Sequence, residues 1–256
     1  MPVSSPFAPS RSARGGRERK PARRIRATGV IGELLVTAGV LVLLFLAWQL
    51  WLNDAVLRAT QDHDAAQLSE RWQTGPLAAT ELPQEQMDPV VLGQPADTEV
   101  FGVLRVPRFG DDYAAKLAGG VSTSRTLNTV GLGHYPDTQM PGQPGNFAVA
   151  GPRNSYGKPL NLIGELRVGD AIVVEVPEGW YTYRFRTLEY VEPSGVGVLN
   201  PVPQADGVEA SDSIITLTSC NPAFSTEERI IAYGAFESWT PRTAGEPASL
   251  SDPVED

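Results

Sequence analysis

The chain has 256 residues, 41% of them hydrophobic, a formal net charge of −9 and a single cysteine, Cys220. That length holds one globular core, the lone cysteine excludes an internal disulfide, and the acidic balance gives no electrostatic footprint for DNA or RNA. The charge is unevenly spread: residues 1–27 carry eight Arg and Lys side chains against the single acid Glu18, so the remainder is more acidic than the total suggests.

The basic arm, residues 1–27, leads into an apolar run from Val30 to Leu52 that is long enough to cross a hydrocarbon core of roughly 30 Å. A transmembrane helix is expected over residues 28–52. Its one acid, Glu33, lies near the basic end, and Trp48 and Trp51 sit at the other end as interfacial anchors do. The excess of arginine before the run places the N-terminus in the cytoplasm and the acidic remainder outside the cell membrane, crossed once. A cleaved signal peptide is the competing reading, but the run is long for one and no small-x-small cleavage site follows it.

Residues 53–97 begin as a polar, Ala-rich helical stretch, then lose periodicity, and read as a stalk or linker; His63 within it reads as a solvated surface side chain. From residue 98 to 238 the pattern changes to short β-like runs punctuated by Gly and Pro. "VFGVLRVPRFG", "NFAVAG" and "DAIVVEV" have strand composition, and "YTYRFRTLEYVE" alternates Tyr181, Tyr183 and Phe185 with polar residues, which makes a hairpin with one apolar face. "SIITLTSC" and "RIIAYGAFESW" form another strand pair, while "LNLIGELRVGD" has room for one short helix. Regularly spaced strands point to an all-β closed barrel or sandwich. The tail, residues 239–256, is acidic and Pro-rich and is expected to be disordered.

Cys220 ends one apolar strand, and the eight residues "NPAFSTEE" separate it from Arg229 at the start of the next. If those strands pair as an antiparallel hairpin, the two side chains emerge as neighbours at one end of the sheet. A guanidinium beside a thiol favours thiolate and can hold a developing oxyanion. The competing reading is a buried, inert cysteine and a solvated arginine. Asp111, Asp112 and Asp137 are turn acids without ligand spacing, so neither a metal nor another cofactor is expected.

The run "TLTSC" with Arg229 nine residues on resembles the signature of the sortases, membrane-anchored cysteine transpeptidases of Gram-positive cell surfaces. "GHYPDTQMPGQPGNFAVAG", "RNSYGKPL" and the terminal strand resemble the class E branch of actinobacteria. The resemblance implies a closed eight-stranded β-barrel with short helices. Its partners would be an LPXTG- or LAXTG-like sorting signal of an exported protein, and a cell-wall precursor amine or a pilin as acceptor. By position, Cys220 would be the nucleophile, Arg229 the oxyanion and substrate clamp, and Thr218, Ser219 and Tyr156 substrate contacts. The departure is Pro152, which stands where the family has its catalytic histidine. Proline cannot transfer a proton, and losing positioned acid–base help costs on the order of 10²- to 10⁴-fold in rate. His134 is the one candidate substitute in this stretch. Two functions follow from the resemblance: a transpeptidase impaired at Pro152, or a dead pseudo-sortase that binds sorting signals or a partner sortase.

Overall fold

The computed structural model describes residues 27–48, 53–75 and 88–251; most of the expected basic arm, the end of the apolar run with Trp51, and segments 76–87 and 252–256 lie outside the described residues. The chain divides into two units, Met1–Leu46 and Ala47–Asp256. In the first, helix α1 (Ala27–Ala47) is apolar on every face, with Leu34, Leu35, Leu41 and Leu43 all exposed. Such a helix has no stripe to bury against a core. By length and composition it fits a membrane anchor or an export signal.

The second unit is a barrel of eight strands: β1 (Val100–Arg105), β2 (Ala115–Gly119), β3 (Leu132–His134), β4 (Gly145–Ala150), β5 (Ala171–Val176), β6 (Gly179–Val191), β7 (Ser213–Asn221) and β8 (Glu228–Pro241). The closed order is β1-β2-β3-β4-β7-β8-β6-β5, with β2–β3 and β4–β7 parallel and the other pairs antiparallel. Alternation drives the closure. Leu104, Leu117, Phe147, Val149, Tyr181, Tyr183, Phe185, Ile215 and Leu217 all turn into one buried cluster. The apolar face expected from Tyr181, Tyr183 and Phe185 is therefore the barrel interior, and the short helix expected near residue 163 is one 3-10 turn, Ile163–Glu165.

Two expectations change. Residues 53–97 are more than a stalk: helix α2 (Asn53–Thr74) lies on the barrel, where Ala65, Leu68 and Trp72 pack with Val103 and Ala114. Lys116 Nζ also pairs with Asp64 at 2.9 Å, and Ser69 Oγ donates to the buried Glu175 at 2.7 Å. Nor is the segment from 239 disordered throughout, because β8 continues to Pro241 and 3-10 turns follow at Arg242–Ala244 and Ala248–Leu250. The cause is the outer face of β5 and β6. Ala171, Val173 and Trp180 are apolar there and Leu250 covers them, while Arg242 is buried against Glu175 at 2.8 Å.

Candidate active site

The site forms where β4 and β7 end side by side and β8 begins. Along β7, Ile215 and Leu217 face the core, so Thr216, Thr218 and Cys220 fall on the outer face. Along β4, Phe147 and Val149 face the core, and Ala148, Ala150 and then Pro152 share the opposite parity. Ala150 pairs with Thr218, and continuing that register one step on each face sets Pro152 level with Cys220. Across the other edge of β7, Cys220 pairs directly with Arg229. Cys220 and Arg229 therefore form one row across β7 and β8, and with Pro152, two residues past the end of β4, they line a groove of about 480 Å³. The hairpin spacing read from the sequence does pair residues 220 and 229 across β7 and β8.

Two arginines flank the half-buried residue Cys220 along the main chain. Arg229 Nη1 donates to the carbonyls of Thr226 at 3.1 Å and Glu228 at 2.9 Å, which fixes the guanidinium on the loop between β7 and β8. Arg153 Nη1 donates to the carbonyl of Cys220 itself at 3.3 Å and to Asn221 Oδ1. Asn221 Nδ2 in turn donates to Glu228 at 2.9 Å, so one amide ties the loop after β4 to the start of β8. Among the described residues that line the groove there is no His, Asp, Glu or Lys. A peptide laid in the groove would thus lie beside a thiol and two guanidinium groups, with no imidazole or carboxylate among the described lining residues to move a proton.

The remaining expected residues separate. Thr218 lines the groove, with its hydroxyl 3.1 Å from Tyr135 Oη. Tyr156 also lines it, half exposed and in the left-handed region at φ 54°. Ser219 also lines the groove, but its hydroxyl is engaged elsewhere: it has the parity of Leu217 and donates to the carbonyl of Gly151 at 2.7 Å in a buried position. His134 lies outside the groove altogether. Its ring stacks on Phe147 at 5.1 Å, its Nε2 donates to Gln139 O at 3.2 Å, and only 1% of the residue is exposed. Burial pushes its pKa down to about 4, against a smaller opposing effect of that carbonyl. It is a framework residue, and the expectation that it might substitute at residue 152 does not survive its position. Sequence reading missed Tyr135, Asn221 and Phe224, the last 87% exposed on the groove rim. Asn221 was accessible to it: once Cys220 faces Arg229, Asn221 faces Glu228.

Comparison with known proteins agrees with this geometry. A family model described as the Sortase domain matches residues 104–237. Sortase SrtE1 of Streptomyces coelicolor is 33% identical over 252 residues, covering 96% of this chain and 67% of that protein. Among solved structures, the SrtA sortase from Actinomyces oris is similar with a TM-score of 0.60 and 34% identity, over 67% of this chain and 98% of that one. The crystal structure of sortase E1 from Streptomyces coelicolor with a tripeptide in the active site gives a TM-score of 0.56 and 34% identity, over 61% of this chain and 99% of that one.

Proposed function

The chain belongs to the sortase family and is class E-like, and from that premise we propose that it is a membrane-anchored transpeptidase slowed by Pro152, acting on LPXTG- or LAXTG-like sorting signals. In this reading α1 is retained as the anchor, the basic N-terminus is cytoplasmic, and the barrel faces outward. Cys220 Sγ attacks the carbonyl carbon of the Thr–Gly bond. Negative charge gathers on the carbonyl oxygen, where a guanidinium N–H of Arg229 donates to it; both bonds it makes to the loop use Nη1 alone. The C–N bond then breaks to leave a thioester on Cys220, and the departing amine must take a proton. An amine of a wall precursor or a pilin attacks the thioester and releases the thiol.

The proton is where this chain falls short. An ordinary thiol is only about a few per cent ionised at neutral pH, and the leaving amine needs a general acid. The observation that carries the reading is the row itself: nucleophile and clamp in register, and a proline beside them. The tripeptide in the similar sortase E1 structure supports a peptide as the occupant of the groove. Cleavage of an LAXTG peptide by the full chain and by its Pro152→His variant tests it. The variant is expected to be faster in kcat/KM by about 10²- to 10⁴-fold. Equal rates would remove the claim of impairment. A groove whose described lining holds no imidazole or carboxylate also favours a second reading, a binding module. Peptide binding that survives Cys220→Ala, with no acyl-enzyme by mass spectrometry in the unaltered chain, decides for it.

A further inference from the structure

On the same face of α2 as Ala65, one turn earlier, lies Gln61, a polar side chain only 8% exposed. Its Nε2 is buried with no hydrogen-bond partner among the described residues. The carboxamide lies against the loop after β4: a Cβ added at Gly157 would lie 1.9 Å from Gln61 Oε1, so a side chain there would displace the amide. That loop is held in an unusual shape. Tyr156, Gly157 and Lys158 are three successive residues in the left-handed region, at φ 54°, 84° and 55°. Non-glycine residues keep such a conformation only where their surroundings over-determine it. Tyr113 Oη, donating to Pro159 O at 2.8 Å, supplies one constraint, and Gln61 supplies another from outside the barrel. The opposite side of this loop, Pro152 to Tyr156, is a wall of the groove that holds Cys220.

We infer that Gln61 is a positioning residue: through Gly157 it sets the groove wall beside the thiol, and so makes the helix that follows the apolar segment part of the peptide site. The inference rests on the sorting-signal reading for its occupant but not for its geometry. Because Cys220 is the only cysteine, its alkylation by iodoacetamide, read by intact mass on the full chain in detergent, reports the wall without any turnover. Gln61→Ala is expected to change the alkylation rate constant, and to weaken binding of an LAXTG peptide, by about threefold or more. Gln61→Met, which keeps the side-chain length, is expected to stay at the original values. Ser69→Ala, on the same helix but bonded to Glu175, is expected to lower the thermal midpoint and leave both readouts unchanged. An unchanged rate in Gln61→Ala, an equal change in Ser69→Ala, or a methionine variant as altered as the alanine one overturns the proposal. If no variant binds peptide, the sorting-signal reading falls alone, and the alkylation rates still decide the role of Gln61.

Discussion

Gly151 donates the last ladder bond from β4 to β7, to Thr218 O at 3.1 Å, and Pro152 follows it with its nitrogen turned away from β7 and its carbonyl accepting from Leu160 at 3.1 Å. The missing N–H of proline therefore removes no bond of the sheet, and a proline at residue 152 is compatible with the fold. His134 is the reverse case, a titratable ring retained for packing. Its pKa of about 4 in the folded chain lies below the ordinary 6.5 because burial penalises the imidazolium. Between those values the unfolded chain takes up a proton that the native chain refuses, so stability falls as pH drops through that window, by about 3 kcal/mol in full. Thermal midpoints between pH 7 and 4.5 should fall more steeply for the unaltered chain than for His134→Gln. Parallel curves would mean that the ring takes up its proton as readily in the folded chain as in the unfolded one.

At the scale of elements, the ends of β4 and β7 are held together past their ladder by Ser219, whose hydroxyl reaches the Gly151 carbonyl. Ser219→Ala strands that buried acceptor and is expected to cost about 1–3 kcal/mol in denaturant unfolding, while peptide affinity stays unchanged; a loss of affinity at constant stability would mean that the hydroxyl serves the peptide and not the Gly151 carbonyl. The hairpin of β7 and β8 was readable because its strands are apolar, its loop is short, and pairing fixes Cys220 opposite Arg229. The strands β2 and β3 were not readable. "AKLAG" and "LGH" carry little apolar alternation, and their glycines serve close backbone approach: a Cβ on Gly133 would lie 2.2 Å from Gly120 O. The parallel pairing of β4 with β7, which sets Pro152 level with Cys220, joins segments far apart in sequence. No local pattern encodes it, so position 152 was legible only through family resemblance. Tyr135 was missed for the same reason, since its partner Thr218 lies across the barrel wall.

Over the whole second unit, one carboxylate gathers parts that composition assigned to a linker and a tail. Glu175 on β5 is fully buried and accepts from Ser69 of α2 at 2.7 Å, from Arg242 at 2.8 Å and from Arg105 of β1 at 3.4 Å. The guanidinium of Arg242 also lies 4.0 Å over the ring of Trp180 and donates to the carbonyls of Val176 and Pro177. Acidic, Pro-rich sequence reads as disorder because it offers little apolar area to bury, yet here a single arginine supplies a buried ion pair and a stacking contact together. An ion pair of this kind gives little net stability compared with apolar side chains of the same volume, but removing one partner leaves a buried charge exposed to a poor solvent. Arg242→Ala is therefore expected to lower unfolding stability of the full chain by about 3–5 kcal/mol, a large share of what a domain possesses. The paired change Arg242→Met with Glu175→Gln should cost much less than the sum of its two single changes, because neither charge is then left alone. Guanidinium titrations of the original, Arg242→Ala, the two single changes of the pair and the paired variant, five chains in all, measure both quantities. Additive losses, or an Arg242→Ala chain within about 1 kcal/mol of the original, would show that the C-terminal segment rests on Leu250 and its apolar contacts and not on the pair.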